Sequence, residues 1–76
     1  MNGIRLEQTG HTEWQVLLDD EPIGFVFRGR RINERQHLWY SFDLEYESLG
    51  KETLYRREAI KDLLTHHHNQ PERQHP

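Results

Sequence analysis

The chain has no cysteine, and none of its apolar runs approaches the length of a membrane span. Without cysteine neither a disulfide nor a thiolate metal site can form, which fits a reducing compartment. A transmembrane helix needs about 18 or more apolar residues in succession. The first five residues, Met-Asn-Gly-Ile-Arg, also lack the apolar segment of a secretory signal. These absences predict a cytoplasmic protein that does not contact a membrane.

Apolar residues are few, and the mean hydropathy is -1.06. Leu, Ile, Val and Phe nevertheless total 18 of the 76 residues, which exceeds the roughly 20% that marks disordered chains. The length allows one domain with a thin core. Residues 69–76 contain no apolar side chain besides proline. We therefore predict a single α+β domain over residues 1–68 and a disordered polar tail over residues 69–76.

Period-two alternation of apolar and polar residues is the main structural signal. It is longest from Leu38 to Tyr46, recurs from Trp14 to Leu18 and from Ile23 to Phe27, and is short at Ile4 and Leu6. Such alternation indicates strands with one buried face, and the Asp-Asp-Glu-Pro segment at 19–22 indicates a turn. The short connections favour an antiparallel meander of three to four strands.

Residues 55–66 have the spacing of an amphipathic helix, with Tyr55, Ala59 and Leu63 on one side of the wheel. The expected fold is (β)βββα, an antiparallel β-meander with one C-terminal α-helix packed on one face. The sheet residues expected to face the helix are Trp14, Val16, Leu18, Phe25, Phe27, Tyr40, Phe42 and Leu44.

On this reading the alternation leaves Leu17, Val26, Arg28 and Trp39 on the opposite sheet face, where they are exposed. Trp and Arg are over-represented in binding hot spots, so these residues predict a site for a protein partner. The leading hypothesis is a small non-enzymatic protein-binding module, such as a regulator or inhibitor. The alternative for Trp39 is purely structural, either a cation-π contact with Arg28 or cover by the tail. Nothing in the sequence sets the oligomeric state.

A basic segment offers a second function on a chain whose formal charge is -3. Its arginines are Arg28, Arg30, Arg31 and Arg35, with Glu34 as the one acid among them. As a site, the segment would bind nucleic acid through phosphate contacts. As structure, its arginines would pair with Asp43, Glu45 and Glu47 across the sheet.

Catalytic and metal-binding patterns are missing. The two serines, Ser41 and Ser48, are not in a nucleophile elbow, and the glycines are too dispersed to cradle a phosphate. His66, His67 and His68 are consecutive, so on a helix they point about 100° apart and cannot converge on one ion. We therefore predict no catalytic residue, no metal and no cofactor.

Three strands followed by a helix that carries Arg57-Glu58-Ala59-Ile60 resemble the small DNA-binding domains of the integrase arm-binding type in strand order. The resemblance implies DNA binding through sheet residues rich in Arg and Lys. Here the chain departs from that pattern, because the matching face carries Asp43, Glu45 and Glu47.

Overall fold

The computed structural model describes residues 3–30, 35–50 and 52–69. Its elements in chain order are β1 (Ile4–Gly10), β2 (Glu13–Leu18), β3 (Glu21–Gly29), β4 (Leu38–Phe42) and α1 (Arg56–Asn69). The strands form one antiparallel sheet in the order β1-β2-β3-β4, and α1 packs against β3 and β4. The predicted α+β fold is confirmed. Within the described residues, α1 is neither long nor apolar enough to cross a bilayer.

A β-bulge at Ile23 decides which side chains of the sheet face the helix. Leu17 lies opposite Pro22, but the next residue of β2, Val16, lies opposite Gly24, so Ile23 is an extra residue on β3. From there on, Trp14 pairs with Val26, whereas an unbroken register would have placed Phe25 opposite Trp14. Because a one-residue shift moves every later side chain to the other face, Val26 and not Phe25 lies on the helix side.

The core lies between this face and α1. Its fully buried members are Val16, Val26, Ala59 and Leu63, joined by Ile23. The predicted stripe of the helix is confirmed at Ala59 and Leu63, but Tyr55 precedes α1 and is 55% exposed. The helix also includes Asn69, which had been assigned to the tail. The rest of the predicted tail, residues 70–76, lies outside the described residues.

The prediction that Phe25, Phe27, Tyr40 and Phe42 face the helix is wrong, for the same reason of register. These residues share the opposite face, because Phe25 pairs with Phe42 and Phe27 pairs with Tyr40. Phe27 and Phe42 meet edge to face at 5.0 Å, and Tyr46 stacks on Phe25 at 4.6 Å. The open face of the sheet therefore carries its own aromatic contacts.

Strand β4 ends at Phe42, four residues before the end of the predicted strand. Asp43 stops it, since its Oδ1 accepts hydrogen bonds from the amides of Glu45 and Glu47 at 2.8 and 2.9 Å. A carboxylate that satisfies local amides in this way competes with sheet pairing. Leu44 lies in the resulting turn and is 50% exposed, so its assignment to the core is also wrong.

Candidate functional site

The four residues predicted to form an exposed binding face do not form one. Val26 is 0% exposed and Leu17 is 5% exposed, so neither is available to a partner. Trp39 is half-buried and packs against the core on the helix side of the sheet, opposite Arg28 on β3. The bulge at Ile23 is the cause, because it turns Val26, Arg28 and Trp39 towards the helix.

Trp39 and Arg28 instead join two residues that the sequence analysis had not grouped with them. We call Trp14, Arg28, Trp39 and Arg56 the tryptophan-arginine cluster. The indole rings of Trp14 and Trp39 lie 5.5 Å apart at an angle of 45°. The guanidinium carbon of Arg28 lies 5.7 Å from the centre of the Trp14 ring, and that of Arg56 lies 5.7 Å from the Trp39 ring. Both distances are within the range of cation-π attraction.

Backbone pairing holds the cluster in place. Trp39 and Thr53 exchange two backbone hydrogen bonds of 2.8 and 2.9 Å, which tie the segment before α1 to β4. Arg56 is the first residue of α1 and follows three residues later. On the other side, the amide of Arg28 donates to the carbonyl of Thr12 at 2.9 Å. The aromatic rings are thus positioned by the sheet and by the start of the helix.

Neither arginine of the cluster forms an ion pair with a carboxylate of the described residues. Within the described residues, the ion pairs are those of Arg5 with Glu7 and with Asp20. The expected pairing of the basic segment with Asp43, Glu45 and Glu47 is not found for Arg28, Arg30 or Arg35. Arg30 and Arg35 are exposed. Arg31 lies outside the described residues.

The end of the molecule away from the tryptophan-arginine cluster carries acidic side chains. A cleft of about 280 Å³ is lined there by Glu21, Pro22, Ile23, Asp43, Leu44, Glu45, His66 and His67. The Nε2 atom of His66 is buried and has no hydrogen-bond partner in the part of the chain that the structure describes. Across the described ranges, no group of three or more His, Asp or Glu side chains is arranged to hold a metal ion.

The sequence contained a partial signal for the cluster. The alternation identified Trp39 and Arg28 as neighbours on one face, and this is correct. Trp14 was missed because, without the bulge, it falls on the face opposite to Trp39. Arg56 was missed because contacts between the start of a helix and a sheet depend on how the two pack, which no local pattern encodes.

Comparisons of this chain with models of protein families, with curated proteins and with solved structures find no match. The function of the candidate site is therefore inferred from its geometry and chemistry.

Proposed function

We propose that this protein is a small non-enzymatic binding module, and that the tryptophan-arginine cluster is its contact surface for an acidic segment of a protein partner. The observation that carries the proposal is the pair of guanidinium groups, each lying over an indole ring and neither paired with a described carboxylate. Trp and Arg are among the residue types most enriched in interface hot spots.

The position of each guanidinium over an indole ring supports this role for a physical reason. A guanidinium over an aromatic face keeps its N-H donors directed outwards in its own plane, where they can bind a carboxylate with two parallel hydrogen bonds. The ring restricts the side chain beforehand, which lowers the entropic cost of binding. The fixed backbone of Trp39 adds to this pre-organisation.

Nucleic-acid binding is the second candidate, because Arg28 lies over the Trp14 ring, and the exposed Arg30 and Arg35 follow β3 and precede β4 at the same end of the sheet. Phosphates would suit these arginines as well as carboxylates do. A nucleobase, however, would compete with Arg28 or Arg56 for the face of an indole ring. The arrangement therefore favours an anionic side chain over a stacked base.

The test is affinity capture from a cell extract of the source organism, with proteins quantified before and after nuclease treatment. The informative variant is Arg56→Ala, because Arg56 is exposed and its removal leaves the core intact. Lys61→Ala is the matched control, since Lys61 is an exposed cation on the same helix outside the cluster. We expect a partner whose capture resists nuclease, falls about tenfold or more with Arg56→Ala and is unchanged with Lys61→Ala.

Two outcomes would contradict the proposal. If every captured protein binds Arg56→Ala as well as the unchanged chain, the cluster is not the contact surface. If capture is lost on nuclease treatment, and an oligonucleotide of deoxythymidine quenches the tryptophan emission with an affinity that falls steeply with salt, the nucleic-acid alternative holds instead.

A further inference from the structure

The two edges of the sheet differ in whether their outward backbone groups are paired. The β4 edge is covered by the segment that follows it, because Trp39 exchanges hydrogen bonds with Thr53 and the amide of Leu49 donates to the Ser41 carbonyl at 3.0 Å. Strand β1 forms the other edge and pairs on one side, with β2. Among the described residues, no backbone group outside β2 pairs with β1 along Ile4–Gly10.

The direction of each backbone group on β1 follows from one hydrogen bond. The amide of Asp19 donates to the carbonyl of Gly3 at 2.9 Å, and this pair continues the register in which Ile4 lies opposite Leu18. In an antiparallel ladder, hydrogen-bonded and non-hydrogen-bonded pairs alternate. Gly3, Arg5 and Glu7 therefore direct their N-H and C=O groups towards β2, whereas Ile4, Leu6 and Gln8 direct theirs outwards.

We infer that β1 pairs with β1 of a second copy of this chain, antiparallel and centred on Leu6, so that two four-stranded sheets become one continuous sheet. In this register Leu6 lies opposite Leu6 of the second copy, and Ile4 lies opposite its Gln8. These are the residues whose backbone groups point outwards, so each opposed pair exchanges two backbone hydrogen bonds.

The charged side chains of Arg5 and Glu7 favour this register over the neighbouring ones. Centred on Leu6, the pairing places Arg5 opposite Glu7 of the second copy, and Glu7 opposite its Arg5. Centring on Arg5 or on Glu7 would place like charges directly opposite each other, which is destabilising. Both side chains are exposed and lie on the same sheet face, where they already approach each other within one chain at 3.2 Å.

The composition of the edge agrees with a paired strand. Exposed edges are often protected by charged side chains, lysine above all, by proline or by a bulge. The two charges of this edge, Arg5 and Glu7, have opposite signs and attract each other in the proposed register. The segment from Ile4 to Gln8 contains neither lysine nor proline, and the irregularity of the β1-β2 ladder lies beyond it, between Gln8 and Gly10. Leu6 and Ile4 are half-buried on the helix side, so pairing would bring the two Leu6 side chains together and cover them further.

A set of charge variants tests both the dimer and its register. By sedimentation velocity from micromolar to millimolar concentration, we expect the unchanged chain to dimerise. Arg5→Glu alone and Glu7→Arg alone each oppose like charges, so each should dimerise at least about tenfold more weakly. An equimolar mixture of the two variants opposes unlike charges at every position, and it should associate as tightly as the unchanged chain. Arg57→Glu, an exposed charge reversal on α1, serves as the control.

Amide hydrogen exchange gives an independent readout of the register. At high concentration the amides of Ile4, Leu6 and Gln8 should gain protection, while those of Arg5 and Glu7 should already be protected at low concentration. An unchanged chain that stays monomeric at millimolar concentration overturns the inference. A dimer that both single variants form as tightly as the unchanged chain also overturns the inference. If the equimolar mixture of the two variants fails to associate, the proposed register is wrong.

Discussion

At Gly24, strand β3 and helix α1 lie too close together for any side chain. A Cβ atom placed there would overlap the side chain of Leu63 and would lie 2.5 Å from the Phe42 carbonyl oxygen. Leu63 is fully buried and the carbonyl belongs to β4, so neither can move without disturbing the sheet. The absence of a side chain at this one residue is what lets the helix pack on β3.

We therefore expect Gly24→Ala to lower the free energy of unfolding by about 1 to 3 kcal/mol, the usual cost of overpacking. Urea unfolding followed by tryptophan fluorescence measures it. Gly10→Ala is the control, because a Cβ at this other strand glycine would lie 3.4 Å from the Cβ of Glu13, an ordinary contact. Equal effects of the two substitutions would show that α1 does not pack on β3 as described.

The pKa of the Tyr46 hydroxyl is shifted by its surroundings. Desolvation of its hydroxyl raises the pKa of Tyr46 above the usual 10.0, and the negative charge of Glu13 and the hydrogen bond to that carboxylate raise it further. The hydroxyl donates to Oε2 of Glu13 at 3.4 Å. Because the folded pKa is raised, this interaction stabilises the fold below pH 10 and is lost as the pH rises through the folded value.

Glu13→Gln should lower the pKa of Tyr46, because it removes the carboxylate charge while leaving a hydrogen-bond acceptor in place. A pH titration of the tyrosine ring signals by NMR, with Tyr46 assigned by a Tyr46→Phe variant, provides the measurement. Glu45→Gln is the control, since Glu45 lies in the same turn as Tyr46 but makes no described contact with its hydroxyl. A Tyr46 pKa that Glu13→Gln leaves unchanged would contradict the interaction with Glu13.

At the scale of elements, the β2-β3 hairpin has a turn whose geometry does not suit its residues. Asp19 and Asp20 both have positive φ angles, of 54° and 69°. Two successive residues in this region form the two-residue turn that matches the twist of a hairpin, and Asn-Gly is its preferred sequence. Aspartate tolerates the conformation but does not favour it as glycine does.

Replacing both residues, Asp19→Asn with Asp20→Gly, should raise the free energy of unfolding by about 1 kcal/mol. The change removes the ion pair between Arg5 and Asp20, but both partners are largely exposed and such pairs contribute little. The midpoint of urea unfolding is the measurement. Asp20→Ala, which loses the same ion pair without gaining the turn preference, is the control. A double variant no more stable than this control would contradict the turn geometry.

At the scale of the whole molecule, the core depends on the helix side of the sheet and not on the turn after β4. Leu63 is 0% exposed between α1 and the sheet, whereas Leu44 is 50% exposed. The two leucines therefore form a matched pair with opposite expectations. The sequence patterns had placed both in the core, Leu44 by strand alternation and Leu63 by helical spacing.

Leu63→Ala should lower the free energy of unfolding by about 2 to 5 kcal/mol through loss of burial and the cavity it leaves. Leu44→Ala should change it by no more than about 0.5 kcal/mol. Thermal unfolding followed by circular dichroism compares the two variants. If Leu44→Ala proved the more damaging, the turn from Asp43 to Tyr46 would have to belong to the core after all.

The sequence by itself determined the class of the fold: three to four antiparallel strands, one C-terminal helix, and their order along the chain. Alternation and amphipathic spacing are local patterns, and burial of one face in each element is enough to produce them. For the same reason Ala59 and Leu63 were identified as core residues, and Arg28 and Trp39 as neighbours on one sheet face.

Only the tertiary structure decided which face the helix covers. The bulge at Ile23 shifts the register by one residue, and the side-chain bonds of Asp43 end β4 early. Neither the bulge nor the early end of β4 alters the alternation of apolar and polar residues in the sequence before it. Together they turn the side chains of Val26 and Trp39 towards the helix and leave that of Leu44 exposed. The tryptophan-arginine cluster depends on the same register, because Trp14 and Arg56 come from a distant strand and from the first turn of the helix. Contacts between distant segments follow from packing, which no single segment of sequence encodes.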